Sequence, residues 1–405
     1  MREKYSVLII VLFLTVLDPR PCSSATPSLA KEAAQSADQR RSKGGVAPES
    51  FEELTAHADA AMSAEQIPEA IRLYGRAVKL RPNWSEGWWN LGTLTFDAGR
   101  FDEARNAFEH FLTTEHEQRG PGFAMLGLTE FQLKQYDRAL ANLERGLQPG
   151  LQSDPAFIRT VLIHDGMLNA RFAKPEIALK RLTLATNQIA AAHPEAPNVA
   201  VLADDELLDA LGVASLQMQV LPSDLSREEK PLVRQAGRAQ ALIAMQDRVA
   251  AAAEFQSLLA EFSSKSGVNY MYGVFLLKEH PSKAAGAFKR ELEITPSHVP
   301  SRIQLALQSL ETAEYEAGLR YAKEALALSP RNFVTRIACG RLYLGLGKTG
   351  LALKELRIAV KLAPGSPDAH FALSRALADA GHTTEAAHER AEFERLKALS
   401  DAANR

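Results

Sequence analysis

Three prolines, Pro296, Pro330 and Pro364, stand 34 residues apart. A fixed interval of this size constrains the chain more than any other feature. It means that one supersecondary unit has been copied along a single axis. Ala70 and Ala104 keep the same interval, and so do Gly340 and Ser374. Each block reads as two amphipathic helices joined by a short polar turn. A proline then closes the second helix, since it lacks an amide donor and clashes with the preceding turn.

The block from Trp84 is the clearest: Trp84-Ser85-Glu86-Gly87-Trp88-Trp89-Asn90-Leu91-Gly92, then Phe96, Gly99-Arg100-Phe101-Asp102-Glu103-Ala104 and Phe108. The pattern returns in Leu126-Gly127 with Tyr136 and Ala139, in Cys339-Gly340 with Ala352, Leu356, Ala359 and Pro364, and in Leu373-Ser374 with Gly381 and Ala386. This resembles the tetratricopeptide repeat. The resemblance implies an all-α fold, a right-handed α-α superhelix of helix-turn-helix repeats. Small residues such as Ala58, Gly92, Ala70 and Ala104 let the paired helices approach, and large residues four apart fill the space toward the next module. Gly99, Gly347 and Gly381 fall between paired helices, where a left-handed residue closes the first one.

Clear repeats are expected at 51–84, 85–118, 120–153, 299–332, 333–366 and 367–400, with weaker ones at 157–192 and 265–298. They form an N-terminal array over 51–192 and a C-terminal array over 265–400, followed by a tail at 401–405. The 193–264 segment between them is irregular. There Ala200 to Val220 reads as one helix, Leu221-Pro222-Ser223-Asp224 as a loop, and Pro231–Met245 with Arg248–Phe262 as a further pair.

The N-terminus has a different character. Arg2 and Lys4 precede an apolar run from Val7 to Leu17 that is broken only by Thr15, and Asp18-Pro19-Arg20-Pro21 ends it. The run is too short for a bilayer-spanning helix, which takes roughly 20 residues. With Ser23 and Ala25 as small residues behind it, residues 1–25 read as a cleaved signal peptide, which predicts export to the periplasm or beyond. Arg20 and Pro21 sit where a lipoprotein signal needs small or aliphatic residues, so lipidation of Cys22 is not expected. Residues 26–50 read as a flexible linker. Once Cys22 is removed, Cys339 has no partner for a disulfide.

The residues indicate no catalytic, cofactor or metal site. Gly347-Lys348-Thr349 lacks the upstream glycine of a phosphate loop, that place being Leu342. His110 and His116 are six apart, so their rings lie about 120° off a common helix face. Cys339 occupies a leucine position and reads as a small buried hydrophobe. Asn83-Trp84-Ser85 meets the glycosylation pattern by chance. A cryptic hydrolase or metal site within 193–264 is the remote alternative. The 47 basic and 49 acidic residues give a formal charge of −2, and no basic run exceeds Arg40-Arg41, which speaks against nucleic acid as a partner.

The resemblance further implies that the first helices line a concave groove that takes a protein or peptide ligand. Its lining would be Glu86, Trp89, Thr93, Phe96 and Asp97, then Leu128, Phe131 and Gln132. Toward the other end it would be Ile303, Leu307 and Leu310, then Ile337, Arg341 and Leu344, then Phe371 and Arg375. The Lys/Asn clamp by which one subgroup holds chaperone tails is missing: its places hold Thr55, Asp59, Asn90, Pro121 and Met125, of which only Asn90 agrees. The sequence thus predicts an exported scaffold or adaptor. A variant of this reading is peripheral association with envelope-biogenesis or secretion machinery.

Overall fold

The computed structural model describes residues 49–403 apart from 118, 149, 150 and 152. The signal-like segment, Cys22 and nearly all of the 26–50 linker lie outside these residues. Within the described residues every regular element is helical. None of the helices is long and apolar enough to cross a membrane.

The chain divides into two compact units. The first runs to Ala210 and includes Gln219–Asp224; the second comprises Leu211–Met218 and everything from Leu225 onward. In the first unit α1 (Phe51–Ser63) pairs with α2 (Ile67–Leu80), and α3 (Ser85–Asp97) with α4 (Phe101–Thr114). Then α5 (Arg119–Gln132) pairs with α6 (Tyr136–Gly146), and α7 (Pro155–Arg171) with α8 (Pro175–Ala192), on which the short α9 (Pro197–Leu202) packs. In the second unit the pairs are α11 (Glu229–Ala244) with α12 (Arg248–Phe262), α13 (Val268–Leu276) with α14 (Pro281–Ile294), and α15 (Val299–Glu311) with α16 (Tyr315–Leu328). They continue with α17 (Phe333–Gly345) and α18 (Thr349–Leu362), then α19 (Pro367–Asp379) and α20 (Thr383–Ala403).

Local sequence explains where these helices begin. Ser50 and Glu53 form a reciprocal cap at α1: the Glu53 amide donates to Ser50 Oγ at 3.2 Å, and the Ser50 amide donates to Glu53 Oε2 at 3.0 Å. Asn332 Oδ1 accepts the Thr335 amide at 2.9 Å at the start of α17, and Ser366 Oγ accepts the Ala369 amide at 3.3 Å at the start of α19. The turns behave as the glycine spacing predicts, since Gly99, Gly347 and Gly381 have φ of 72°, 68° and 81°. The same left-handed turn also falls on Glu65, Lys134, Ala173, Gln246 and Ala313. Each of these departs from the L-residue preference by about 1–2 kcal/mol, so the hairpin geometry prevails over the local one.

The small residues do what close helix pairing requires. A Cβ on Gly92 would stand 2.7 Å from the Phe108 ring, and one on Gly340 would stand 2.4 Å from Leu356. Ala58, Ala70, Ala104 and Ala352 are fully buried. Leu356 and Ala359 of α18 join Ile337 of α17 and Ala369, Leu373 and Leu377 of α19 in one cluster, so each second helix is held from both sides.

The middle of the chain departs from the expectation in one respect. The helix predicted over Ala200–Val220 is two helices, α9 and α10 (Asp205–Ser215). Asp204 breaks it, because its carboxylate accepts the Leu207 amide at 3.1 Å and starts α10 afresh. Gly212 of α10 lies against α11, with Val233 O where a Cβ would go. Pro222–Asp224 forms a single 3₁₀ turn within the predicted loop.

Candidate binding surface

Every stacked hairpin exposes part of its first helix, and on α15, α17 and α19 those parts align. α15 packs on α17 and α17 on α19. Val274, Leu307, Arg341 and Arg375 recur at intervals of 33, 34 and 34 on α13, α15, α17 and α19. Three residues further along stand Leu310 on α15 and Leu344 on α17, on the same helical face, and Leu277 just past the end of α13. Val274 is 44% exposed, the four leucines are half-buried, and both arginines are exposed. Neither arginine has an ion pair or hydrogen-bond partner among the described residues. A row of leucines thus runs beside a row that is apolar at one end and cationic at the other. Val274 and Leu277 escaped the sequence reading, although Gly273, in the close-approach position of α13, sets their register.

The first unit presents less than its sequence suggests. Trp89, expected in the groove, is buried against Phe108 and Phe111 of α4, with ring centroids 5.8 and 5.2 Å away. Phe96 is buried against Phe101 at 5.5 Å, and Thr93 is buried with its hydroxyl donating to Asn90 O at 3.1 Å. Ile337 in the second unit is likewise core. The reason for Trp89 and Ile337 is geometric: that position of the first helix looks across the hairpin at the last turns of the second helix, not outward. Leu128 and Ile303 are buried as well.

Of the remaining predicted residues, Glu86, Asp97, Gln132, Arg341 and Arg375 are exposed. Phe131 is half-buried between Tyr136 and His164, at 5.7 and 4.7 Å. Phe371 is half-covered by Phe393 at 5.1 Å, with the Arg390 guanidinium 5.4 Å from its ring. Leu344 stays accessible. Neighbouring protein strips part of the hydration of Asp97 and pushes its carboxyl pKa upward, though its contact with water screens the effect.

The other chemical candidates have structural explanations. Cys339 is buried in the cluster around Ala322 and Leu342, where desolvation pushes its thiol up to about 12. His110 stacks on Trp88 at 4.3 Å. Gly347-Lys348-Thr349 forms the turn into α18. Among the described residues no three His, Cys, Asp or Glu side chains are grouped to hold a metal. A shallow depression lined by Lys134, Tyr136, Asp137, Arg138 and Arg171 opens between the ends of α5 and α7. Its Arg171 already sits 4.8 Å from the Tyr136 ring and pairs with Asp224 at 3.4 Å.

Paired antiparallel helices with a small residue at each crossing and a left-handed turn define an α-helical repeat protein. A Tetratricopeptide repeat family model matches residues 55–114 and 338–396, so these two segments carry tetratricopeptide repeats, and the described residues between them continue the all-helical hairpin pattern. No curated protein sequence matches the chain. Among solved structures, a MamA double mutant from strain RS-1 is 16% identical, with a TM-score of 0.38 over 44% of this chain and 98% of its own. MamA from Desulfovibrio magneticus RS-1, starting at residue 41, is 16% identical with a TM-score of 0.38, over 42% and 97%. A further MamA crystal structure is 14% identical with a TM-score of 0.37, over 40% and 96%.

Proposed function

We propose that the chain is a non-enzymatic scaffold that captures a protein or peptide segment on the face built by α15, α17 and α19, with the matching positions of α13 beside it. The observation that carries this reading is the half-buried leucine row Leu277, Leu310 and Leu344 beside Leu307 and Val274. Apolar side chains aligned on successive first helices are more than scattered surface hydrophobes, and an aligned apolar stripe on helices is a surface onto which an extended or helical peptide can be laid. Tetratricopeptide repeats typically bind protein partners, which supports the same conclusion. The basic start, the Val7–Leu17 apolar run and the small residues behind it support export to the periplasm or beyond, and the partner in this reading is one met there.

The test is a double substitution, Leu307→Asp with Leu344→Asp. Both side chains are partly exposed, so the helical circular dichroism should persist. Capture of envelope proteins by the purified variant should fall at least tenfold. Unchanged capture by a folded variant would reject this face as the binding surface.

A further inference from the structure

The charged end of this surface specifies the chemistry of what it binds. Arg341 and Arg375 occupy the same place on α17 and α19, one repeat apart, and those helices pack directly on each other. Helices in such contact lie roughly 8–10 Å apart, so the two guanidinium groups can serve neighbouring anions on one ligand. Three other arginines of these hairpins are engaged, while Arg320, on the second helix α16, also meets no carboxylate among the described residues. Arg302 meets Glu324 at 3.0 Å, Arg336 meets Glu355 at 2.5 Å, and Arg357 meets Glu385 at 2.8 Å. Arg341 and Arg375 meet no carboxylate among the described residues, although Asp379 stands four residues after Arg375 and Glu311 four after Leu307 on the same set of helices. Two unpaired cations beside a leucine row favour a ligand that brings carboxylates and apolar groups together, since Arg–carboxylate bonds are strong and directional.

We infer that the segment bound here is an acidic amphipathic peptide, whose apolar side chains seat on Leu307, Leu310 and Leu344 while adjacent Asp or Glu carboxylates are taken by Arg341 and Arg375. The inference rests on the proposed binding face and adds the partner's charge. The apolar end at Val274 and Leu277 takes the uncharged part of the same segment.

The experiment is selection of a displayed library of random 16-residue peptides on the full chain, repeated on two folded variants. The wild type should enrich Leu, Ile or Phe next to Asp or Glu. The Arg341→Glu/Arg375→Glu variant should bind those peptides at least tenfold more weakly by fluorescence anisotropy and should enrich Lys- and Arg-containing peptides instead. Leu307→Asp/Leu344→Asp should lose both. Apolar peptides of neutral or basic charge on the wild type, lost only with the leucine substitutions, would overturn the inference and leave the binding face standing. A library that yields no binder, or binders that ignore the leucine substitutions, would overturn both. Competition by single-stranded DNA stronger than by the selected peptide would place the arginines against phosphate and also overturn the inference.

Discussion

The carboxylate of Glu291 on α14 accepts the backbone amide of Gly267 at 2.8 Å, at the start of α13. The same oxygen, Oε1, accepts from Ser266 Oγ at 3.5 Å, and Oε2 accepts the Tyr270 amide at 3.3 Å. Glu291 is fully buried. One side chain therefore caps its hairpin partner from within the core, satisfying amides that the first turn of a helix leaves without partners. Removing it leaves desolvated amides unpaired. Glu291→Ala should cost about 2–4 kcal/mol and Glu291→Gln about half of that. Thermal unfolding measures the loss, and faster amide exchange at Gly267 and Tyr270 would localise it.

Trp89 separates packing from binding. Its ring fills the space between Phe108 and Phe111, so Trp89→Ala should destabilise the chain by about 3–5 kcal/mol. Well below the midpoint of unfolding, peptide capture on the second unit should be unchanged. A calorimetric scan with an anisotropy titration checks both expectations.

Asp165 makes stability depend on pH. It is fully buried between α7 and α8, where Arg181 Nε donates to it at 3.0 Å and Asn169 Nδ2 donates at 3.0 Å. Its Oδ2 has no hydrogen-bond partner among the described residues. Burial pushes its carboxyl up to about 6, above the ordinary value. A raised folded-state pKa means that the native state holds the proton more tightly than the unfolded chain. Stability should therefore fall as pH rises from about 4 through about 6, and level off above. Asp165→Asn should remove about 2 kcal/mol of that slope between pH 4.5 and 7.5. Equal pH dependence of variant and wild type in paired thermal scans would contradict the assignment.

The Cys339 thiol, buried with its pKa pushed up to about 12, holds almost no thiolate at neutral pH. Peptide mapping after treatment with an aromatic disulfide reagent should show Cys339 unmodified in the native protein and fully modified in denaturant. Labelling of the native protein at the rate of a free thiol would contradict its burial.

The fold was legible because periodicity needs no tertiary knowledge. The 34-residue interval, the close-approach small residues and the turn glycines each have one cause within a hairpin, and Gly92, Gly340 and Gly99 behave as that cause requires. The binding surface was less legible. A heptad-like apolar face on a first helix contains residues that look outward and residues that look across at the partner helix. Trp89 and Ile337 belong to the second kind, whereas Leu307, Leu344 and Arg341 belong to the first. Only the packing of the second helix separates them. The break at Asp204 was hidden for a related reason, since a capping aspartate inside an apolar run resembles an ordinary solvent-facing residue until its hydrogen bond to Leu207 is seen.

The most direct test of the account is site-specific photocrosslinking. A benzoylphenylalanine placed at Leu344, in the leucine row, should give adducts with a bound protein or peptide in native envelope extract. The same residue placed at Arg357, exposed on α18, should give none. Adducts from position 357 together with none from 344 would contradict the claim that aligned first helices of the second unit form the binding face.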